Sequence, residues 1–412
     1  MAAAVSGGAD SMCLAMLARD WAAARGGSVL ALVVDHGLRP GSAQEARITI
    51  ARLTALQIPA RLLTLMDLVR GPALAERARA ARYRALSAAC VEARVPHLLL
   101  GHHAADQAET VMIRVLGGSG TRGLAGMAAL VEANHLRLVR PLLSIRPDVL
   151  RADLRRHGID WVEDPSNTDP GARRPRLRMA SAAPDDDATG SICAAAASAG
   201  HVRASRDEAV AAELAERVTL RPEGFAVLSP GAVSPEAFGR LLQVIGGRAY
   251  PANTERIATL ARNPGPATIG GVRLLPAGRL GPGWLVVREQ KAIMGPVALA
   301  AGAIWDGRYR IVEAAGPHAC ATISALGDDA ARLRRLSSLP SVVLRTLPAV
   351  RCGKLLVDVP HLPYDRSANR SRARLIFDPP QPLAGAPFLP TLPIVQVVGM
   401  DRGCGRASGT LC

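Results

Sequence analysis

The amino-acid sequence predicts an α/β fold: an N-terminal parallel sheet wrapped by helices, then a helical segment and a β-containing C-terminal lobe. Three observations predict it. Over roughly the first 165 residues, short continuous apolar runs alternate with helix-patterned stretches. At Glu163–Arg178 the composition turns to Pro, Asp and Arg. Beyond about residue 268, brief apolar runs are punctuated by Gly and Pro.

In order, Ala2–Val5 is a stub of strand, short for a central one, as though the true start lay a few residues upstream. A polar loop, Ser6-Gly7-Gly8-Ala9-Asp10-Ser11, separates it from a helix running from Asp10 through Leu17. The runs Ser28–His36, Ile58–Leu65 and Pro96–His103 read as buried strands, because they are continuous rather than alternating. Ala43–Leu56 and Leu74–Ala93 read as the helices between them. Such alternation means parallel strands joined by crossover helices, with ligands beyond the carboxyl ends of the strands. "SGGADS", "DHGLRPGS" and "GHHAADQAET" each follow a strand, so three polar loops converge on one edge. Residues 181–200 are small, polar and weakly patterned, and read as a mobile connection. Ser205–Val218 and Pro235–Ile245 read as helices, and "GVRLL", "GWLVVRE" and "GKLLVDV" as strands. The last 24 residues carry no pattern.

The 412 residues exceed one ordinary core, so two or three domains are expected. The net charge is +15, with arginine dominating the excess, which favours a polyanionic partner over a membrane surface. Seven cysteines stand at 13, 90, 193, 320, 352, 404 and 412 without any Cys-x-x-Cys pair. That spacing suggests neither a zinc ribbon nor an iron–sulfur site, and an odd number argues against a disulfide framework. With no secretory pattern and no apolar run of about 18 residues, a reduced, cytoplasmic protein with no membrane partner is expected.

The opening loop is a nest for an anion. Gly7 and Gly8 let successive backbone N–H groups turn inward, and the following helix adds its positive end. Ser6 and Ser11 offer hydroxyls to phosphate oxygens, while Asp10 either caps the helix or reaches a metal. The Walker pattern is absent, since no lysine lies here.

"SGGxDS" after a strand resembles the pyrophosphate-binding loop of the N-type ATP pyrophosphatases, the PP-loop family, whose fold is a Rossmann-like parallel sheet. Three further segments narrow the resemblance: "VDHGLRPGSAQEA" (Val34–Ala46), "HHAADQAETVMIRVLGGSGTRGLAGM" (His102–Met127) and "RPLLSIRPDVLRADLRRHGIDWVEDPSNTD" (Arg140–Asp169). Together they look like the tRNA(Ile)-lysidine synthetases. The likeness is continuous over roughly 4–178 and looser through "GGRAYPANTERIATL" and "ATIGGVRL" to "PLAGAPF".

The resemblance implies a ligase using ATP and Mg²⁺. ATP adenylates the C2 oxygen of the wobble cytidine in a tRNA(Ile) with a CAU anticodon, and the ε-amine of free L-lysine displaces AMP. It implies that Ser6, Gly7, Gly8, Ala9, Asp10, Ser11, Asp35, His36 and His102 line the nucleotide site, with one of His102 and His103 inward and the other outward. Asp10 and Asp106 are the expected metal ligands, and Asp10, Asp106, Glu109 and Arg114 the expected catalytic group. The pair Asp106 and Glu109, three apart on one helix face, holds Mg²⁺ or receives the lysine ammonium groups. The family's usual first Asp of "HHxDDQxET" is Ala105 here, so Asp106 is expected to carry the role. "GGSGTRGLAGM" reads as a substrate-closing segment with Arg122 near phosphate. In "ARRPRLR", Ala172 and Pro175 replace the usual Phe and Asn, while Arg174, Arg176 and Arg178 suit a tRNA backbone or a solvated cluster equally.

The expected domains are a catalytic PP-loop domain over 1–178, a linker and helical tRNA-binding domain over 179–267, a β-rich lobe over 268–390, and a tail over 391–412 whose composition is compatible with disorder. Monomer and homodimer both stay open. A thiolating enzyme of the same family is the alternative, but those carry sulfur on cysteine pairs that this chain lacks. A tRNA-binding homologue without catalysis is a second, motivated by Ala105.

The charge generates a prediction. Affinity for tRNA should fall by about 10³ between 50 and 200 mM salt if roughly six phosphates are neutralised. A flat response in a filter-binding titration would make the basic excess compositional only.

Overall fold

The computed structural model describes residues 1–38, 41–65, 71–133, 136–163, 186–249, 254–315, 321–365 and 372–392. The segment around "ARRPRLR" and the tail from 393 lie outside the described residues. The chain forms two compact units, 1–204 with 388–412, and 205–387. The expected partition at 178, 267 and 390 followed composition; the two units are separated by where the chain is in contact with itself.

The first unit is built on a six-stranded sheet of order β3-β2-β1-β4-β6-β5, from β1 (Ala2–Val5), β2 (Leu30–Asp35), β3 (Ala60–Thr64), β4 (His97–Leu99), β5 (Leu130–Ala133) and β6 (Leu136–Val139). All pairings are parallel except β5 with β6, an antiparallel edge. β1 lies between β2 and β4, and its alternation sends side chains to both faces. Ala3 and Val5 join a core formed with α1 (Ala9–Ala23), α2 (Ser42–Ala55) and α6 (Pro147–Arg156). Ala2 and Ala4 join the opposite core, under α3 (Leu74–Glu92) with Leu86, Ala89 and Cys90. A strand covered on both faces has no polar side to show, which fits the continuous runs of β1 and β2. β3 corrects the expectation of a buried strand over Ile58–Leu65: it is the edge of the sheet, and Arg61, Leu62 and Thr64 are exposed.

α4 (Ala104–Leu116) and the short α5 (Thr121–Leu124) follow β4. The mobile connection expected over 181–200 is corrected by α7, a helix over Asp186–Arg217. From Ser205 on this is the helix the sequence predicts; before it, the many alanines give almost no amphipathic period, so the pattern gave no sign of the helix. Small side chains nevertheless let it pack closely: Ala196 is fully buried, and the Cys193 thiol donates to Ala104 O at 3.3 Å. Phe388–Leu389 also belongs to this unit. Ala129 N–H donates to Leu389 O at 2.7 Å, and the Arg203 guanidinium sits 4.3 Å from the Phe388 ring centre.

The second unit is β-rich as expected, but two strands intrude on the segment read as helical. β7 (Val218–Arg221) and β8 (Phe225–Leu228) form a hairpin closed at Gly224, whose φ is +74°. They extend an antiparallel sheet of order β7-β8-β11-β10-β9, with β9 (Ala267–Ile269), β10 (Val272–Pro276) and β11 (Trp284–Arg288). One face is covered by α8 (Pro235–Gly246), α9 (Thr254–Arg262) and the end of α7. Later strands make two further sheets.

At the heart of this unit Asp306 is held between two arginines. Arg288 donates from Nε and Nη2 to its two carboxylate oxygens at 3.0 Å each, and Arg308 Nε donates at 2.8 Å. All three are buried. Arg288 also reaches Gly271 O, and Arg308 reaches Gly224 O, so one carboxylate ties β11, the β9–β10 turn and the β7–β8 turn together. Among the described residues no helix is long and apolar enough to cross a membrane.

Replacing Asp306 by Asn keeps the shape and strands two buried cations. The expected cost is about 3–5 kcal/mol, which lowers the melting transition of this unit by roughly 10 °C. Differential scanning calorimetry showing an unchanged transition would remove this carboxylate from its place at the centre of the unit.

Candidate active site

The loop after β1 has little room for any residue but glycine at its first turn. Gly7 has φ +89°, and a Cβ there would lie 2.3 Å from Thr49 Oγ1 on α2. Gly8 is the N-cap of α1, and no side chain caps the helix. That removes one of the two roles left open for Asp10: the first-turn N–H groups stay available for an anion. Ser11 turns inward as well. Its Oγ donates to Gly8 O at 2.9 Å and accepts from Ser6 N–H at 3.1 Å, so it shapes the nest from inside, while Ser6 is exposed. Val162 N–H donates to Gly7 O at 2.8 Å and pins the loop from the other side.

The structure brings Asp10, His103 and Asp106 together. Gly101 follows β4 so closely on α1 that a Cβ would lie 3.3 Å from the Asp10 backbone. The chain then turns into α4, with His103 as N-cap in a reciprocal capping box: Asp106 N–H donates to His103 Nδ1 at 3.4 Å, and His103 N–H donates to Asp106 Oδ2 at 3.1 Å. With Nδ1 accepting, the proton of neutral His103 lies on Nε2, which is 3.4 Å from Asp10 Oδ2 and 3.7 Å from Asp106 Oδ2. Asp10 Oδ1 is buried and has no donor among the described residues. Glu109 is buried one turn along α4. Of the adjacent histidines, His103 is therefore the one at the acids, and His102 is only partly buried.

Other expected site residues have local duties. Asp35 Oδ1 accepts from Gly37 N–H at 3.0 Å and from Ser42 Oγ at 2.7 Å, tying the end of β2 to the start of α2. His36 Nδ1 accepts from Leu38 N–H at 3.1 Å. Arg114 donates from Nη1 to Gly123 O at 2.9 Å and to Gly126 O at 2.6 Å, stapling the glycine-rich stretch to α4. Gln107, which the sequence reading passed over, fixes the end of that stretch by exchanging two hydrogen bonds with the Met127 backbone. Arg122 contributes its carbonyl, which accepts from Arg203 Nη1 at 3.2 Å.

Sequence reasoning also missed a cationic cluster at the same edge. Arg140, directly after β6, is buried and donates from Nη1 to Ala128 O at 2.7 Å, while its Nε has no partner among the described residues. Burial pushes its guanidinium below the usual arginine range; the nearby Tyr83 phenol opposes that shift and Arg79 adds to it. Arg79 itself lies over the Tyr83 ring at 5.1 Å. The readable signal was "RAARY", which places Arg79, Arg82 and Tyr83 at i, i+3 and i+4 on the first half of α3.

An uncapped helix start, a glycine turn and an orphaned buried carboxylate oxygen fit a phosphate group bridged to a hard cation. Among the described residues no three acidic, His or Cys side chains are placed to hold a metal ion by themselves. Mg²⁺ on phosphates needs only one or two carboxylates.

Residues 1–182 match the PP-loop domain family. A tRNA(Ile)-lysidine synthase of Brucella suis is 32% identical over 410 residues, 91% of this chain and 90% of that protein. That of Hyphomonas neptunium is 38% identical over 289 residues, covering 66% and 77%. That of a Bradyrhizobium strain is 46% identical over 177 residues, 42% of this chain and 49% of the relative, so this match spans about half of that protein's length. With a PP-loop domain at its start and a near-full-length match to the Brucella protein, the chain belongs to the tRNA(Ile)-lysidine synthase family.

Proposed function

We propose that this chain ligates L-lysine to C2 of the wobble cytidine of a CAU-anticodon tRNA(Ile), using ATP. The C2 oxygen attacks the α-phosphorus and pyrophosphate leaves. The lysine ε-amine then attacks C2, loses a proton, and AMP departs with the oxygen. The observation that carries this reading is the Asp10–His103–Asp106 group at the mouth of an uncapped phosphate nest.

The N–H groups at the start of α1 and the Ser6 hydroxyl hold the phosphates, and Ser11 keeps the nest in shape. Asp10 and Asp106 are the residues that would hold Mg²⁺, which when bound neutralises charge on the phosphates. His103 faces both carboxylates with Nε2, while its Nδ1 accepts from the Asp106 backbone N–H. Glu109 is buried on the α4 face of Asp106 and suits a substrate ammonium. Asp106 alone carries what a second Asp at position 105 would share. Arg114 acts as a positioning residue through the glycine-rich stretch. None of the four cysteines in the described residues forms a disulfide, which supports a reducing, cytoplasmic setting. We assign the chemistry to the first unit and the grip on tRNA to the second.

Asp10→Ala and Asp106→Asn should each lower lysine incorporation by on the order of 10²–10³ while the thermal transition is kept. The assay is ATP-dependent transfer of labelled lysine to tRNA(Ile) with a CAU anticodon. Turnover near that of the unaltered chain in both variants would remove these carboxylates from the reaction. A folded chain that binds this tRNA but transfers no lysine would favour the non-catalytic homologue.

A further inference from the structure

The second unit contains a concavity of about 430 Å³ that the lysidine chemistry does not use. Two stretches far apart in sequence meet there. Arg248 comes directly after the left-handed cap Gly247 that ends α8, and Arg256 stands in the first turn of α9. Opposite them, Thr268 of β9 and the Gly270–Gly271 turn complete the wall, with Glu289 beside it. Both glycines have positive φ, +62° and +76°, and a Cβ on Gly271 would lie 2.4 Å from Arg288 Nη1. The turn therefore stays bare, and a ligand can approach its backbone closely.

We propose that this concavity is a phosphodiester site that grips the RNA backbone of the tRNA, a reading that rests on the proposed function. Two exposed guanidiniums from different elements provide forked donors suited to phosphate oxygens. Among the described residues no carboxylate pairs with Arg248. Thr268 and the bare turn supply neutral donors of the kind that fix register on a backbone. Glu289 sets the charge of the ligand: it repels a dianionic free phosphate more than a singly charged phosphodiester. The arginines then act on binding and leave the chemical step alone.

The test uses the full chain with R248A/R256A and R248K/R256K, each first checked for an unchanged thermal transition. Filter binding to tRNA is followed from 50 to 200 mM salt. For two lost phosphate contacts, R248A/R256A should make the slope of log affinity against log salt shallower by about 1.4–1.8, and weaken binding at least about tenfold at 50 mM. R248K/R256K should restore the slope, because the charge returns without the fork. In turnover, the alanine variant should raise KM for tRNA and hold kcat. An unchanged slope in R248A/R256A, or a lysine variant as shallow as the alanine one, would overturn the site. If the unaltered chain transfers no lysine yet R248A/R256A loses RNA affinity, the phosphate site stands and the proposed activity falls. If the unaltered chain is active and the slope does not move, the reverse holds.

Discussion

Everything at the candidate active site depends on burying one four-residue strand. β1 is almost wholly apolar and has helices against both faces, so its loop is the only way its end can meet water. Its neighbours β2 and β4 run parallel to it, and parallel connection sends every strand's carboxyl end to the same edge. The nest of the first loop, the Asp35 turn and the His103 cap are thus neighbours by topology, before any of them makes a specific contact. Gly7 and Gly101 are where that closeness becomes absolute, because a single carbon at either would press on α2 or on the start of α1.

The polar groups at this edge divide into those that shape it and those that face a ligand. Asp35, Ser11, Gln107 and Arg114 spend hydrogen bonds on backbone groups or on one another's loops. Among the described residues Asp10 keeps a buried oxygen without a donor, and no side chain caps the first turn of α1. Both are costly in a buried place unless a partner arrives, since an unpaired polar group loses its hydration. That cost makes the nest a binding site in physical terms. The loops that cost nothing in this sense make it a rigid one.

The second unit solves a different problem. Its sheets are antiparallel and its strands short, so no crossover helices enforce its shape. A buried carboxylate between two arginines does so instead, and through them it ties β11 to two separate turns, at Gly271 and Gly224. The pairing is expensive to desolvate and is stable only because each guanidinium also meets carbonyl groups.

The sequence by itself determined the parallel sheet, the helices between its strands and the phosphate loop, because continuous apolar runs and a Gly-Gly turn are local signals. It also marked Asp10, Asp106 and Glu109 as the acids of interest. Only the tertiary structure decided which histidine of the pair meets those acids, because that depends on how α4 is capped and how closely Gly101 lies on α1. It alone revealed the first part of α7, ahead of Ser205, whose alanines carry no periodic signal but pack well, and the β7–β8 hairpin, whose strands are stabilised by β11 rather than by their own pattern. It showed that Arg114, expected at the chemistry, anchors the glycine-rich stretch to α4. Arg140 and the pair Arg248 and Arg256 lay in segments the sequence singled out, but only folding showed which neighbours they meet.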